Sequence, residues 1–309
     1  MSDGPIRVAV DANGPKLVNG EKELTASFLA VDSYDFSEAR GEVVFSAKTK
    51  PDGGFDIGLV SSDGSPINWV PADPADEVQV EWAPRGHKVS YVIRASGGDV
   101  VRTLHIPTAY QLSVPFEGAR IHALAWDPQA ERYAVAYSTP VSSDQVEVVR
   151  YGGEERRTEI APAVRLDVES EPFAPGALLL RPPLAYEEKL PLVVWEASDF
   201  AWSDARVALL RNARVAMVVT KDAGADPVWK AIEATPWIDR TRTYVVSMER
   251  RPLTAAAPLH IVSDPTLTSN QYRRAGNVVS VAPAVIQSFA AGFIADQLKR
   301  TSPPNGSSR

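Results

Sequence analysis

The chain has 309 residues, 44% of them hydrophobic and 23% charged, which suits about two domains of ordinary size. Its formal net charge of −7 argues against nucleic-acid binding, because a nucleic-acid-binding protein needs a basic face. The lack of cysteine excludes disulfides, thiolate metal sites and a cysteine nucleophile. The start, MSDGPIRVAV, has neither the basic region nor the apolar core of a signal peptide, and we find no apolar stretch long enough for a transmembrane segment. We therefore expect a cytoplasmic location; a processed or truncated N-terminus would allow a periplasmic one.

The first half of the chain predicts short strands arranged in a repeat. An aromatic residue, a polar turn and an alternating strand occur together three times, at Phe36, Trp82 and Trp126. The aromatic residues are 46 and 44 residues apart (82 − 36 and 126 − 82), and another turn and strand follow each copy. A period of about 45 residues with several strands per copy is typical of β-propeller blades. Such blades stack because one blade cannot bury both of its faces alone.

The number of copies is small for a closed ring. Three clear copies cover residues 33–165, whereas closed propellers have about four to eight blades. Phe173 has the spacing of a fourth copy, but the sequence after it does not repeat the pattern. We expect residues 1–165 to form a propeller-like antiparallel β domain, incomplete or with few blades; a β-sandwich of similar hairpins is the alternative. Its open edges would need the second half or a partner protein to cover them.

The second half alternates strands with helices. Five apolar segments are expected to be strands, at residues 190–195, 215–220, 243–248, 258–263 and 277–282. Helices are expected after Ser203-Asp204, from Asp226-Pro227, and from about Ala284 to Arg300. This order predicts a three-layer αβα domain over residues 166–300, with a mostly parallel sheet of about five strands. Residues 153–176 are expected to be an irregular linker, and residues 301–309 a disordered tail.

Several segments resemble one family. The turns WAPRG from Trp82 and WDP from Trp126 resemble the blades of TolB-like propellers and of the propeller in prolyl oligopeptidases. The segment from Leu178 to Trp195, LLLRPP…EEKLPLVVW, resembles the entry to the α/β-hydrolase domain of prolyl oligopeptidase-like serine peptidases. DRTRTYVV from Asp239 is similar to the segment before that family's nucleophile, and APLHIV from Ala257 to the segment that supplies its triad acid. The resemblance implies a propeller followed by an α/β-hydrolase-like domain.

The sequence departs from the family at the catalytic residues. The nucleophile requires G-x-S-x-G, because the serine sits on a strained turn between glycines. Here Glu249 occupies the nucleophile position, and Ser247 stands two residues earlier without a flanking glycine. EAS from Glu196 replaces the His-Gly-Gly motif, and none of the four histidines follows the acid segment; they are His87, His105, His122 and His260. The simplest interpretation is a degenerate, shortened hydrolase domain, a pseudoenzyme without catalytic residues.

Two sets of polar residues offer alternatives to that interpretation. Ser247, His260 and Asp264 are the alternative catalytic residues, as a rearranged triad. The interpretation we favour is that they are a strand-end serine, a histidine inside a buried strand and a turn aspartate, because a triad is recognised by geometry that a sequence does not supply. The acids Asp199, Asp222, Asp226 and Asp264 follow predicted strands, where a receiver-like Mg²⁺ or phospho-acceptor site would lie. Helix capping explains Asp204 and Asp226 as well. His105 and His122 lack the spacing of metal ligands. We predict no cofactor and no metal.

Three functions remain open. The leading hypothesis is a non-catalytic protein-binding or scaffold subunit, derived from a propeller-plus-hydrolase architecture, whose partner is another protein or complex. The alternative is an atypical serine hydrolase or peptidase of the prolyl oligopeptidase type. A sensor of a small ligand or metal in the α/β half is the third. The sequence does not indicate an oligomeric state.

Overall fold

The computed structural model describes residues 6–152, 157–161, 166–184, 188–198, 200, 202–248, 259–268, 271–275 and 277–301. The chain divides into two compact units. The first comprises residues 1–138 and 144–163, and the second residues 139–143 and 164–309. The expected domain boundary between residues 165 and 166 stays a prediction, because residues 162–165 lie outside the described ones. The expected tail, except residue 301, also lies outside them.

The described residues of the first unit form four small sheets. A three-stranded antiparallel sheet contains β1 (Ile6–Asp11), β2 (Gly14–Asn19) and β3 (Lys22–Glu23). The next sheet contains β4 (Ala30–Ser37), β5 (Glu42–Lys48), β6 (Phe55–Ser61) and β7 (Asn68–Trp69). The third contains β8 (Asp76–Trp82), β9 (Lys88–Arg94), β10 (Gly98–His105) and β11 (Tyr110–Glu117). The fourth contains β12 (Arg120–Trp126), β13 (Arg132–Thr139), β14 (Ser142–Arg150) and β15 (Arg157–Ala161).

The three four-stranded sheets correspond to the three copies of the sequence repeat. Neighbouring strands in each sheet are consecutive in the chain, as in a propeller blade. Phe36, Trp82 and Trp126 lie at or next to the end of the first strand of each sheet. The expected propeller-like arrangement of antiparallel sheets is thus confirmed.

Acidic side chains of one sheet accept hydrogen bonds from backbone N–H groups at the free edge of the next sheet. The first strand of each sheet pairs with a strand on one side only, so it has unpaired N–H groups on the other side. Oδ2 of Asp35 accepts the N–H of Trp82 at 2.7 Å, and Oε1 of Glu81 accepts that of Trp126 at 3.0 Å. These acids precede the repeat aromatics Phe36 and Trp82, so the contact recurs with the repeat.

Basic side chains lie over the same tryptophans. The guanidinium carbon of Arg40 is 5.8 Å from the ring centroid of Trp82, and Nζ of Lys88 is 5.4 Å from that of Trp126. These distances are those of cation–π contacts. The β4–β7 and β8–β11 sheets therefore each contact the following four-stranded sheet through both a carboxylate and a cation.

The N-terminal sheet covers one face of the β4–β7 sheet. Leu17 of β2 and Phe28, which follows β3, pack with Val43 and Phe45 of β5. Val44, between them, points to the opposite face and packs with residues of the β8–β11 sheet. The β4–β7 sheet is therefore buried on both faces.

The second unit contains one eight-stranded sheet. In chain order its strands are β16 (Glu169–Ala174), β17 (Ala177–Arg181), β18 (Leu190–Glu196), β19 (Ala216–Thr220), β20 (Ile238–Ser247), β21 (Leu259–Ser263), β22 (Tyr272–Ala275) and β23 (Val278–Val281). Their spatial order is β16-β17-β19-β18-β20-β21-β23-β22. The five strands from β19 to β23 in this order run parallel, and β16, β17 and β22 are antiparallel to their neighbours.

The sheet is larger than the sequence predicts. The five parallel strands match the five apolar segments, but β16, β17 and β22 were not expected. β16 and β22 are edge strands with mostly exposed residues, so no apolar pattern marks them. The prediction of an irregular linker over residues 153–176 is wrong where β15 and β16 form.

Helices lie on both faces of this sheet. They are α1 (Asp204–Asn212), α2 (Asp226–Ala234) and α3 (Ile286–Thr301), the last preceded by a 3₁₀ turn at Pro283–Val285. Leu209 of α1 and Ile294 of α3 pack with Trp195, whereas Ile232 of α2 packs with Val194. Successive residues of a strand point to opposite faces, so β18 is buried on both. None of the described helices is long and apolar enough to cross a membrane.

Candidate functional site

The carboxyl ends of the parallel strands meet at one edge of the large sheet, where open α/β sheets bind their ligands. β18 ends at Glu196 and its neighbour β20 ends at Ser247. Trp195 is paired with Val246, so Glu196 and Ser247 lie side by side. Val194 and Val245 pack against α2, and Glu196 and Ser247 come two residues after them on the same strands. Side chains two residues apart on a strand share a face, so Glu196 and Ser247 point to the α2 face.

The hydroxyl of Ser247 donates a hydrogen bond to Oε2 of Glu196. Ser247 is 1% exposed and Glu196 is 7% exposed. A serine becomes a good nucleophile when a neighbouring base accepts its proton and a substrate can reach its oxygen. Here the hydroxyl is directed at a buried carboxylate, and solvent barely reaches it. The contact ties together the ends of two strands.

His260 and Asp264 occupy different positions from Ser247. His260 is buried within β21 and is paired with Val245, whereas Ser247 is paired with Val262. His260 therefore lies two residues before the position opposite the serine. Asp264 follows β21, and its Oδ1 accepts the backbone N–H of Thr266 at 3.0 Å and its hydroxyl at 2.7 Å. Assigning Ser247, His260 and Asp264 to a triad stays a prediction, and Glu249 lies outside the described residues.

A cavity of about 650 Å³ opens at the same edge of the sheet. Its lining residues come from the ends of β18 and β20 and the first turns of α1 and α3: Ala197, Ser198, Trp202, Ser203, Asp204, Ala205, Arg206, Met248, Gln287 and Ser288. Small-molecule pockets commonly have volumes of about 300–1,000 Å³. The lining is mostly polar and, among these described residues, includes no histidine.

Two hydrogen bonds fix the cavity wall. The hydroxyl of Ser203 donates to Oε1 of Gln287 at 3.2 Å, which ties the start of α1 to the start of α3. Nε1 of Trp202 donates to Oδ1 of Asp204 at 3.0 Å. Ser203 is the N-cap residue of α1 as expected, but its side chain makes no capping hydrogen bond.

The other acids have local roles. Oδ1 of Asp222 accepts the N–H of Gly224 at 2.8 Å, and Asp226 is the first residue of α2, whose N-cap is Ala225. Asp199 lies outside the described residues. Within the described part of the chain, no three histidine or acidic side chains are placed to hold one metal ion.

Two of the remaining histidines lie in the first unit with local partners. Nδ1 of His105 is 2.7 Å from Oγ1 of Thr108, and Nε2 of His122 is 2.7 Å from Oγ of Ser138. Both contacts link residues within one sheet or its turns, which agrees with a structural role.

Sequence reasoning missed Glu196 as the partner of Ser247. Both residues end apolar segments, and the parallel order of those segments was expected, but the register between two strands cannot be read from either one. The lining residues Trp202, Arg206, Met248 and Gln287 were missed too. They are close only because two helices and two strands meet there.

No protein-family model matches this chain, and no curated protein resembles it in sequence. Solved structures resemble its fold. An acylaminoacyl peptidase from Pyrococcus horikoshii is 13% identical, with a TM-score of 0.62 over 84% of this chain and 50% of that one. Dipeptidyl peptidase 4 from Porphyromonas gingivalis is 14% identical, with a TM-score of 0.58 over 84% of this chain and 47% of that one. A puromycin hydrolase is 13% identical, with a TM-score of 0.60 over 84% of this chain and 50% of that one.

The chain thus spans about half the length of these solved structures. At such low identity the likeness establishes the fold alone. It agrees with the resemblance in the sequence, since these neighbours are peptidases of the prolyl-peptidase-like kind.

Proposed function

We propose that this chain is a non-catalytic protein-binding or scaffold subunit with the fold of propeller-containing peptidases. The observation that carries the proposal is the contact between Ser247 and Glu196. The serine nearest the expected nucleophile position is 1% exposed and its hydroxyl is directed at a buried carboxylate. A substrate carbonyl cannot reach that oxygen without opening the end of the sheet.

The cavity supports the same conclusion. It lies where a hydrolase would bind its substrate, at the carboxyl ends of β18 and β20. Among its described lining residues the serine side chains are Ser198, Ser203 and Ser288, and no imidazole accompanies them. General-base activation of a serine needs a base within hydrogen-bond reach. What remains is a surface for binding, and the partner we propose is another protein.

An atypical serine hydrolase is the second candidate. The likeness to peptidase folds favours it, and in this case Glu196 would accept the proton of Ser247. The serine would have to become accessible to the substrate during turnover, since it is 1% exposed here.

Labelling with a fluorophosphonate probe and hydrolysis of chromogenic esters separate the two candidates. We expect neither labelling nor turnover above the level of Ser247→Ala. Glu196→Gln is the matched second variant, because it keeps a hydrogen-bond acceptor but removes the base. Labelling at Ser247 that Glu196→Gln abolishes would overturn the proposal in favour of the hydrolase. Copurification from the native source would then identify the protein partner of the inactive chain.

A further inference from the structure

Glu77 is a carboxylate buried in the core of the first unit. It is the second residue of β8 and is 0% exposed. Neither of its oxygens accepts a hydrogen bond of good geometry from the described residues, although the backbone N–H of Ile57 lies near enough to favour the ionised form. An ionised carboxylate in such a place is costly, because the interior solvates charge poorly and one weak donor does not replace water. The arrangement therefore favours the protonated form.

One cation lies between Glu77 and a second carboxylate. Nη1 of Arg102 is 3.9 Å from Oε1 of Glu77, beyond hydrogen-bonding distance. Nη2 of the same guanidinium is 3.2 Å from Oδ2 of Asp73, and Nε donates to the hydroxyl of Ser113 at 3.2 Å. Asp73 is 26% exposed and Glu77 is 0% exposed, so the closer ion pair of Arg102 lies near the surface and the more distant one lies inside.

The groups around Glu77 have opposite effects on its pKa. Burial is the largest influence and raises the pKa of Glu77 to about 7, and the charges of Asp73 and Asp56 act in the same direction. Arg102 and the backbone N–H of Ile57 favour the ionised form but do not offset burial. Burial also raises the pKa of the neighbouring Tyr91 to about 12, so that hydroxyl stays neutral.

We propose that Glu77 is a proton-binding site that decides which carboxylate Arg102 pairs with. When Glu77 is protonated, the guanidinium stays on Asp73. When Glu77 loses its proton, the buried charge attracts the guanidinium inward, because Coulomb attraction is strongest where water is excluded. This inference does not depend on the proposed function.

The release of Asp73 would loosen the connection between β7 and β8. Oδ1 of Asp73 accepts the N–H of Ala75 at 3.3 Å, so the carboxylate organises residues 73–75 of that connection. Without Arg102 the carboxylate is free to turn to solvent, and this hydrogen bond loses its anchor. The proton on Glu77 would thus control the order of a surface segment.

The direction of the pH dependence follows from the raised pKa. Its ordinary value is 4.5 and the folded value is about 7, so the folded state binds the proton more tightly than the unfolded state. Stability is highest at low pH, falls as the pH rises from 4.5 to about 7, and is level above that as far as Glu77 is concerned. The folding equilibrium constant should fall by about 300-fold over this range, the ratio that a pKa difference of 7 − 4.5 gives.

Hydrogen exchange of the Ala75 amide, whose N–H Asp73 accepts, tests the proposal, with its rate divided by its intrinsic rate. In the wild type we expect protection to fall about tenfold or more between about pH 5 and pH 9, the fall centred near pH 7. Glu77→Gln, which cannot ionise, should hold the protection constant, and Asp73→Asn should lower it throughout. Glu81→Gln is the matched control on the same strand: its Oε1 contacts Trp126, not Arg102, so the wild-type profile should persist.

A wild-type profile that Glu77→Gln leaves unchanged would overturn the proposal. Carbon-13 titration of the Glu77 carboxyl in the wild-type protein is the second measurement, and it does not depend on any variant folding. A midpoint near 7 is expected, and a midpoint near the ordinary value of 4.5 would equally overturn the assignment.

Discussion

The carboxylate of Asp35 accepts the backbone N–H of Trp82, with 2.7 Å between Oδ2 and the nitrogen. The acid belongs to one four-stranded sheet and the N–H group to the next, and Glu81 repeats the contact with Trp126. Edge strands with free N–H groups are prone to pair with other chains. In this protein acidic side chains occupy those groups, which explains how successive sheets pack without shared strand pairing.

Removing the acid should leave a buried donor unsatisfied. We expect Asp35→Ala to lower the free energy of unfolding by about 1–3 kcal/mol, because the part-buried N–H of Trp82 then loses its carboxylate acceptor. Asp35→Asn keeps an acceptor oxygen, so its free energy of unfolding should fall by less. Urea denaturation followed by tryptophan fluorescence measures the free energy of unfolding of both variants. Equal losses would show that the acceptor oxygen does not stabilise the protein.

The turn after Trp82 requires a left-handed backbone at Gly86, whose φ is +67°. A Cβ atom there would lie 2.8 Å from Oγ of Ser37 and 2.9 Å from Cγ of Arg40. Gly86→Ala should therefore cost about 1–2 kcal/mol of stability in thermal or chemical unfolding. Gly97→Ala is the control: its φ is not positive and nothing lies within 4 Å of the new atom. A similar cost for both variants would contradict this explanation.

Asp99 is a buried charge held by two arginines. It is 1% exposed, and its carboxylate contacts Arg94, lies 3.3 Å from Nη1 of Arg120, and accepts the N–H of Ile121 at 2.7 Å. Asp99→Asn leaves the arginines uncompensated and should destabilise the protein by about 3–5 kcal/mol.

An exposed pair provides the control for Asp99. Arg132 is 59% exposed and lies 3.4 Å from Asp127. Its replacement by alanine should cost less than about 1 kcal/mol, because solvent screens the pair. If calorimetric melting shows equal effects for Asp99→Asn and Arg132→Ala, burial does not decide the strength of these pairs.

The Ser247–Glu196 contact should appear as coupling between the two residues. In a double-mutant cycle of Ser247→Ala and Glu196→Gln we expect an interaction energy of about 0.5–3 kcal/mol, since each side chain is the partner of the other. Ser263→Ala, at the end of the neighbouring β21, replaces Ser247→Ala in the control cycle and should be additive with Glu196→Gln. Additivity in the first cycle would mean that the hydrogen bond has no net energetic value.

Patterns in the sequence identified two kinds of element: strands that are buried on both faces, and sheets that are repeated along the chain. The run from Leu190 to Trp195 predicts a central strand because all its residues are apolar, and the structure has β18 there. The spacing of Phe36, Trp82 and Trp126 predicts repeated sheets, because each copy of the repeat has to bury its apolar face against the next copy. The exposed edge strand β22 has no such signature, so it was missed.

By itself, the sequence determined the order of the two architectures, the positions of the five parallel strands and the fact that no glycine flanks Ser247. These features depend on residue type and spacing along the chain, which are local. Only the tertiary structure decided that Ser247 contacts Glu196, that Asp35 satisfies Trp82, and that Arg102 lies between Glu77 and Asp73. Each of those pairs joins residues from different strands or sheets, and their distance depends on register and packing, to which every neighbouring strand contributes.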